Sequence, residues 1–288
     1  MTYDQAANLR SRLKTPEQTI ENAKTISVVS GKGGVGKSNI ALNIAIDLSQ
    51  RDYRVLVMDL DVGMGNIDIL VGQHTDNSIV DMLHDNMPIQ DIITEGPAGL
   101  SYISGGTGFA DFFTMDQMKI NYFLQEFEKL KRMYDYIFFD MGAGATSDSI
   151  FFILASEECI LITTPEPTAL TDAYAMVKKI LYRDNEMSIS IIMNRVREIR
   201  QGKIILDKFQ TIIRKFLHVE THALGILPDD PIVREAVSGQ TPFILWKGKA
   251  PISKSLRQIT EKYTNGKGLQ NKRSSSFVQK LRRLLLER

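Results

Sequence analysis

The glycine-rich segment GKGGVGKS, residues 31–38, is the part of this sequence whose residue types and spacing most directly predict chemistry. It lies between an apolar run at 25–30 and an apolar-periodic run at 37–50, a pattern that predicts a strand, a loop and a helix. Glycines let backbone N–H groups face an anion, and the N-terminus of the following helix carries partial positive charge. Lys37 is spaced to reach the β- and γ-phosphates of ATP, and the Ser38 hydroxyl to hold Mg²⁺. The residues expected to bind nucleotide are Gly31, Lys32, Gly33, Gly34, Val35, Gly36, Lys37 and Ser38.

Acidic residues end two further apolar runs. Asp61 ends the run at 54–61, and Asp140 lies at the end of YDYIFFD, before a glycine-rich turn. Ligands of open parallel sheets bind at the carboxyl ends of the strands. A carboxylate at such an end can hold a Mg²⁺-bound water or orient an attacking water. We therefore expect Asp140 to lie beside the P-loop and to hold Mg²⁺ through water.

The elements that must position these residues alternate between strand-like and helix-like runs. Strand runs such as VLVM and YIFF are almost continuously apolar, which is typical of strands buried on both faces of a parallel sheet. We expect an α/β fold, a doubly wound, mostly parallel sheet flanked by helices. The predicted strands cover residues 25–30, 54–61, 100–105, 136–141, 159–164, 189–196 and 223–227. The predicted helices cover residues 37–50, 114–133, 168–183, 203–217 and 251–263.

The composition narrows the class of protein. A hydrophobic fraction of 43%, a charged fraction of 24% and a formal net charge of +1 are ordinary for a globular protein and indicate no partner. The single cysteine, Cys159, excludes an internal disulfide framework and a Cys-x-x-Cys metal site. The N-terminus is charged where a secretory signal is apolar, and the most apolar run, 150–164, is too short and polar to span a bilayer. We therefore expect a cytoplasmic protein.

A second lysine, Lys32, follows the first glycine of the loop, and KGGVGKS resembles the deviant Walker A motif of the MinD/ParA family of ATPases. The resemblance implies that Lys32 reaches across an ATP-dependent homodimer to the phosphates bound by the other subunit. The segment from Asp59 to Asp68 resembles the first switch of the family, D-x-D-x-G-x-x-N-x-D, in which Asp61 contributes to the Mg²⁺ site and orients the attacking water. An Asp can instead cap a helix or form a turn, an alternative that applies most to Asp68. The implied catalytic residues are Lys32, Lys37, Asp61 and Asp140, and the implied metal-site residues are Ser38, Asp61 and Asp140.

The same resemblance covers the second switch and the base pocket. The family has D-x-P-A-G in the second switch, whereas this chain has Met141 to Gly144 without a proline, so the coupling of this switch can differ. Asn194, at the end of IIMNRV, matches an Asn that hydrogen-bonds the adenine edge, and Pro228 and Asp229 match positions that contact the base. Alternatively, Asn194 forms a turn and Asp229 caps a helix.

The C-terminus predicts an amphipathic helix at 277–288, after a Gly/Ser/Asn/Lys-rich linker at 264–276. Its apolar residues recur at helical spacing and lie opposite several basic residues, which is typical of a helix at an anionic membrane surface. The segment resembles the membrane-targeting sequence of MinD, although the helix could instead dock on its own domain. A DNA-binding role would need a basic surface, and we expect no nucleic-acid partner. The residues expected to enter the membrane are Phe277, Leu281, Leu284 and Leu285.

The N-terminal segment, residues 1–24, precedes the first strand of the ATPase domain at 25–263. Its sequence DQAANLR resembles the activator motif DQA-x-x-LR of the FlhG family, MinD-like flagellar ATPases also called YlxH or FleN. The resemblance implies stimulation of the signal-recognition-type GTPase FlhF. On physical grounds alone, a disordered leader is the favoured alternative. The residues that carry the motif are Asp4, Gln5, Ala6, Leu9 and Arg10.

Together these patterns predict an ATPase that dimerises with ATP, binds the inner face of the cell membrane in that state and controls the number and placement of flagella. Flagellar C-ring proteins are possible partners of its core. A Min- or Par-type ATPase that positions division or partition machinery is the alternative within the fold. A nucleotide-gated scaffold with negligible turnover is the alternative of another class.

Overall fold

The structure, a computed structural model, describes residues 23–61, 66–106, 116–142, 144, 149–265 and 276–286. The five residues of the predicted activator motif lie outside the described residues, as does nearly all of the predicted linker. Gly63 of the predicted first switch and Ala143 of the second also lie outside them.

One sheet of eight strands organises the described part of the chain. Across the sheet the order is β3-β4-β2-β5-β1-β6-β7-β8, and only the β3–β4 pair is antiparallel. Because β1 lies between β5 and β6, the loop that follows β1 emerges at the middle of the sheet. The strands are β1 Lys24–Val29, β2 Val55–Leu60, β3 Thr94–Glu95, β4 Ser101–Ser104, β5 Tyr136–Met141, β6 Glu158–Thr163, β7 Ser188–Val196 and β8 His222–Pro228.

Helices cover both faces of the sheet. Successive residues of β2 alternate between two buried apolar clusters, with Val55 and Val57 in one and Leu56 and Met58 in the other. The strands are therefore buried on both sides, as their continuous apolar runs predicted. None of the described helices combines the length and apolar character needed to cross a bilayer. The helices are α1 Lys37–Ser49, α2 Asn66–Val71, α3 Ile79–Asp85, α4 Gln117–Met133, α5 Ile150–Ala155, α6 Pro167–Leu181, α7 Ile199–Leu217, α8 Ile232–Ser238, α9 Phe243–Trp246, α10 Pro251–Asn265 and α11 Phe277–Leu286.

The sequence predicted the long elements and missed the short ones. All seven predicted strands are present, but β3, with two residues, was not predicted, nor were α2, α3, α5, α8 and α9. Elements of two turns or fewer contain too few residues for a periodic pattern. The prediction for α7 began four residues late, because Gly202 in its first turn reads as a helix breaker. This glycine packs closely instead: a Cβ atom there would lie 2.5 Å from Cγ1 of Val196.

The C-terminal helix α11, which we call the tail helix, packs on its own domain. Its apolar face contacts α4, α5 and β5, and the Phe277 ring lies 4.6 Å from the Phe127 ring and 4.9 Å from the Phe139 ring. Phe277 and Leu281 are fully buried and Leu285 is nearly so, whereas Leu284 is half-buried. The structure therefore adopts the docked arrangement that the sequence left open as an alternative.

Candidate nucleotide-binding site

The P-loop connects β1 to α1 at the centre of the sheet. Gly36 lies at the N-cap of α1 with φ of 94°, a left-handed conformation that favours glycine. Gly31 allows a close approach, because a Cβ atom there would lie 2.1 Å from the backbone carbonyl carbon of Asp172 in α6. The loop is therefore held against α6, and the N-terminus of α1 begins at the carboxyl edge of the sheet, where an anion is favoured.

The P-loop lysine is buried in an ion pair. Lys37 is 6% exposed, and its amino group pairs with the fully buried Asp140 and lies 3.2 Å from Oγ of Ser38. Burial raises the pKa of Asp140, and the Lys37 ammonium opposes that rise. Since the ammonium neutralises a carboxylate here, phosphates that draw Lys37 away would leave Asp140 in need of another cation.

The arrangement around Asp140 suits Mg²⁺. The register of β2 and β5 places Asp59 directly beside Asp140, and the Oδ2 atom of Asp140 is buried without a hydrogen-bond partner among the described residues. Within those residues no three His, Cys, Asp or Glu side chains are grouped to hold a metal ion. This donor set fits Mg²⁺, which commonly binds through one or two carboxylates together with substrate phosphates and water. Ser38 and Asp140 would hold the ion, and Asp61 is near enough to Asp140 for its charge to raise the pKa of that carboxyl.

Asp59 positions the first switch. One carboxylate oxygen accepts hydrogen bonds from the backbone N–H groups of Asn66 at 2.7 Å and Ile67 at 3.1 Å, and the other accepts one from Asp61 at 3.1 Å. Burial, followed by the charge of Asp140, raises the pKa of Asp59 to about 7, although these N–H donors oppose the rise. Asp59 thus caps α2 and fixes the backbone of Asp61. The motif alone predicts no separate role for Asp59, because it does not distinguish a capping carboxylate from a catalytic one.

The two switches meet at Asp61 and Gly142. Asn66 donates a hydrogen bond of 3.2 Å to Asp61, and a Cβ atom on Gly142 would lie 3.1 Å from the Oδ1 atom of Asp61. Met141, which precedes this glycine, is buried in the core. The glycine therefore keeps room for Asp61 at the start of the second switch, although the family's proline is absent.

The second lysine of the loop lies apart from the first. The Lys32 side chain is 42% exposed, and its amino group donates to Oγ1 of Thr168 at 3.0 Å and lies 3.5 Å from Glu166. Both partners lie at the start of α6, beside the P-loop. Neither partner was predicted from the sequence. The segment TTPEPT at the end of β6 was the available signal, because β6 neighbours β1 in the sheet.

The predicted base-contacting residues line one cavity. A cavity of about 910 Å³ is bordered by Gly36, Asn194, Pro228 and Asp229, and Asn39 and Ile40 of α1 also contribute. Its volume lies in the range of small-molecule pockets. Asp229 does not cap α8; Asp230 accepts the hydrogen bond from the backbone of Ile232 instead, at 3.0 Å. The structure thus brings the three predicted base residues together beside the P-loop.

Asn194 also braces the P-loop. Its side-chain amide donates a hydrogen bond of 2.8 Å to the carbonyl of Val35, and its amide nitrogen lies 2.6 Å from the position of a Cβ atom on Gly36. The residue is 8% exposed. Since a primary amide has two N–H donors and one acceptor oxygen, one donor and the oxygen remain for a base edge.

We expect the protein to prefer ATP to GTP, because a donor and an acceptor on Asn194 match the adenine edge and oppose the pattern of guanine. Asn194→Ala should weaken ATP binding more than GTP binding. Loss of the hydrogen bond to Val35 should lower the affinities for ATP and GTP equally. The ratio of the two affinities therefore reports the contact between Asn194 and the base. Titration calorimetry with both nucleotides measures it, and equal affinities in the wild-type protein would exclude the assignment.

Comparisons with known proteins agree with this geometry. The family model ParA, described as NUBPL iron-transfer P-loop NTPase, matches residues 21–264. The antiactivator FleN of Pseudomonas aeruginosa is 30% identical over 75% of this chain and 78% of its own length. The flagellum site-determining protein YlxH of Helicobacter pylori is 33% identical over 78% of this chain and 77% of its own. The MinC:MinD cell division protein complex of Aquifex aeolicus superposes with a TM-score of 0.70 at 22% identity, over 84% of this chain and 96% of the matched chain.

The predicted fold and the predicted family are both confirmed by these similarities. The similarities do not extend to the iron-transfer activity named in the description of the family model, because one cysteine cannot supply the ligands of an iron–sulfur cluster. The match covers the whole of the sheet and the P-loop, and two relatives reach 30% identity or more over most of both chains. The chain therefore belongs to the ParA family of P-loop NTPases, in the group that includes FleN and YlxH.

Proposed function

We propose that this protein is a Mg²⁺-dependent ATPase that dimerises with ATP, binds anionic membrane in that state and controls the number and placement of flagella. The observation that carries the proposal is that the two lysines of one P-loop differ in burial and in partners. Lys37 is buried beside Asp140, whereas Lys32 lies on the surface with its amino group directed at α6. The exposure of Lys32 beside the phosphate site supports a role toward nucleotide held by a second copy of the chain.

Each residue of the site has a separate role in ATP hydrolysis. Lys37 exchanges Asp140 for the β- and γ-phosphates, and the backbone of residues 31–36 holds their oxygens. Mg²⁺, held by Ser38 and Asp140, would neutralise the charge that develops on the phosphates. Asp61, fixed by Asp59, orients the attacking water. Lys32 of the opposite subunit stabilises the same developing charge, so hydrolysis requires the dimer.

The tail helix connects the nucleotide state to the membrane. Its apolar face is buried on α4 and α5, and this face must leave the core before it can enter a membrane. Two tails on one dimer then hold the protein at the inner face of the cell membrane, and hydrolysis returns the subunits to the cytoplasm. Arg282 and Arg283 are exposed on the docked helix and would face anionic lipid.

The flagellar assignment is supported by FleN and YlxH, whose names describe an antiactivator and a flagellum site-determining protein. The activator motif at residues 4–10 supplies the proposed contact with the FlhF GTPase. Gln5 would complete the GTPase site by orienting its attacking water. Flagellar C-ring proteins are proposed partners of the core.

The leader tests the flagellar assignment directly. A peptide of residues 1–24 should stimulate GTP hydrolysis by FlhF without the ATPase core, and Gln5→Ala should weaken that stimulation. Leu9→Ala is a second variant of the peptide, and it tests whether an apolar side chain of the motif is also needed for stimulation. Full-length protein without residues 1–24 should lose stimulation and keep ATP hydrolysis. Stimulation that survives this deletion would contradict the role of the leader. No stimulation by the full-length protein would favour a Min- or Par-type positioning ATPase, an alternative that similarity to MinD at 27% identity also allows.

A nucleotide-gated scaffold is the second candidate, because the second switch lacks the family's proline. Single-turnover hydrolysis measured with membranes present separates the two. Conversion of bound ATP to ADP within one residence on the membrane supports an enzyme, and unchanged ATP supports a scaffold.

A further inference from the structure

We propose that Arg195 is a positioning residue for recognition of the base, and that its left-handed backbone, not its side chain, holds the two sides of the base pocket in register. The inference deepens the proposed function, since it rests on the assignment of the cavity to the base of ATP. One side of the pocket is Asn194 at the end of β7, and the other is Pro228 and Asp229 at the end of β8.

The backbone of Arg195 has an unusual conformation for an arginine. Its φ angle is 55°, in the left-handed region that glycine adopts freely and that residues with a Cβ atom rarely adopt. No other residue of β7, a strand that the structure describes in full, has a positive φ. Strained conformations of this kind persist only where the surrounding structure fixes them, and they are frequent at binding sites.

Arg195 is the extra residue of a β-bulge. Met193 pairs with Ile226 and Val196 pairs with Pro228, so β7 advances by three residues while β8 advances by two. Such a bulge inserts one residue into one strand and re-aims the side chains that follow it. In a strand without the extra residue, Arg195 itself would pair with Pro228.

The bulge changes the faces of the sheet on which the last residues of β7 lie. Ile191 and Met193 belong to one apolar cluster and Ile192 to the other, as the two-residue period of a strand requires. Continued alternation would direct Arg195 into the first cluster and Val196 into the second. Instead, Val196 is buried in the first cluster and Arg195 is exposed. The left-handed residue therefore keeps a charged side chain out of the core.

The same change keeps the base pocket open and fixes its two sides to each other. The Asn194 side chain points to the P-loop, where it donates to the carbonyl of Val35 at 2.8 Å. Without the bulge, Val196 would share the face of Asn194 and would occupy room in the cavity. With the bulge, the Val196 carbonyl accepts a hydrogen bond of 3.0 Å from the backbone N–H of Asp229. This bond joins the end of β8 to the end of β7 and so sets the distance across the pocket.

A direct contact between the Arg195 side chain and the nucleotide is the alternative, because this residue also borders the cavity. Arg195→Gly separates the two accounts, since it removes the whole side chain and adopts the left-handed conformation without strain. Arg195→Asn does the same with a short side chain that tolerates this region. Arg195→Val also removes the guanidinium, but a branched Cβ makes a positive φ strongly unfavourable.

The test measures the affinities of these full-length variants for ADP and GDP by titration calorimetry. Diphosphates keep the base and cannot report hydrolysis, so a failure of ATP turnover, dimerisation or membrane binding would leave this measurement intact. We expect Arg195→Gly and Arg195→Asn to bind ADP within about twofold of the wild type and to keep its preference over GDP. Arg195→Val should bind ADP about tenfold more weakly and lose most of the preference, because one strained residue shifts an equilibrium by a factor of that order.

Arg200→Val is the matched control, because it replaces an exposed arginine by the same branched side chain where the backbone is helical. It should alter neither the affinity for ADP nor the preference, and thermal unfolding confirms that each variant is folded before titration. Weakened ADP binding by Arg195→Gly and Arg195→Asn would assign the effect to the arginine side chain and overturn the inference, even if Arg195→Val did not fold. Wild-type affinity and preference in a folded Arg195→Val protein would overturn it as well, as would equal affinities of the wild type for ADP and GDP.

Discussion

Asp61→Ala should bind ATP and Mg²⁺, yet hydrolyse ATP at least about 10²-fold more slowly than the wild type, because a group that orients the nucleophile is lost. The affinity should persist because Lys37, Ser38 and Asp140 remain. The variant should accumulate as an ATP-bound dimer, since hydrolysis is the step that separates the subunits. Single-turnover hydrolysis and sedimentation in the presence of ATP measure the two effects.

A substitution of Asp59, which positions Asp61, separates the loss of the group that orients water from a disturbance of the first switch. Asp59→Asn keeps one acceptor oxygen for the N–H groups of Asn66 and Ile67 and should slow hydrolysis less than Asp61→Ala does. Hydrolysis by Asp61→Ala within a few-fold of the wild type would mean that another residue orients the water. If Asp61→Ala instead failed to bind ATP, the substitution would have disrupted the structure of the first switch.

Membrane binding should depend on the number of tails, with a gain of about 10²–10⁴ in apparent affinity for two linked tails over one. Fully burying one leucine or phenylalanine side chain stabilises by roughly 1.5–3 kcal/mol. A membrane interface buries such a side chain only partly, so each apolar residue of the tail contributes less. Lys280 and Arg282 add about 1 kcal/mol each on anionic lipid. Ordering a helix of this length opposes these gains, since such a short segment is barely helical alone in water. One tail should therefore bind weakly and reversibly.

Leu284→Glu should abolish flotation with anionic liposomes and leave ATP-dependent dimerisation intact. Leu284 is half-buried in the docked helix, so this change spares the fully buried Phe277 and Leu281. Gln279→Glu introduces the same charge on the exposed face and should weaken flotation only modestly, which separates loss of apolar contact from added charge. Flotation unaffected by Leu284→Glu would place the membrane contact elsewhere on the protein.

The P-loop could be predicted from sequence because its chemistry leaves few alternatives. A phosphate cradle needs glycines, a lysine and a hydroxyl at fixed spacing, and the flanking strand and helix confirm the context. Asp140 was predictable for a related reason, since an apolar strand that ends in a carboxylate beside the P-loop has few other uses. The parallel sheet followed from strands apolar on both faces.

Other features depend on contacts between distant segments. Asp59 caps α2 through three backbone donors, and nothing in its spacing distinguishes this role from catalysis. Glu166 and Thr168 meet Lys32 because β6 neighbours β1, a pairing that requires the strand order. The apolar face of the tail suits a membrane and a groove lined by phenylalanines equally well, so sequence alone left both possibilities open.

Sedimentation of the wild-type protein and Lys32→Ala with ATP or ADP tests the central claim most directly, namely that ATP joins two subunits through the exposed lysine. Among the described residues, the Lys32 side chain has polar contacts with Thr168 and Glu166 at the start of α6, so its loss should spare the fold and some ATP affinity. We expect the wild type to be dimeric with ATP and monomeric with ADP, and Lys32→Ala to remain monomeric with both and to lose hydrolysis. A Lys32→Ala protein that dimerises with ATP as the wild type does would contradict the account.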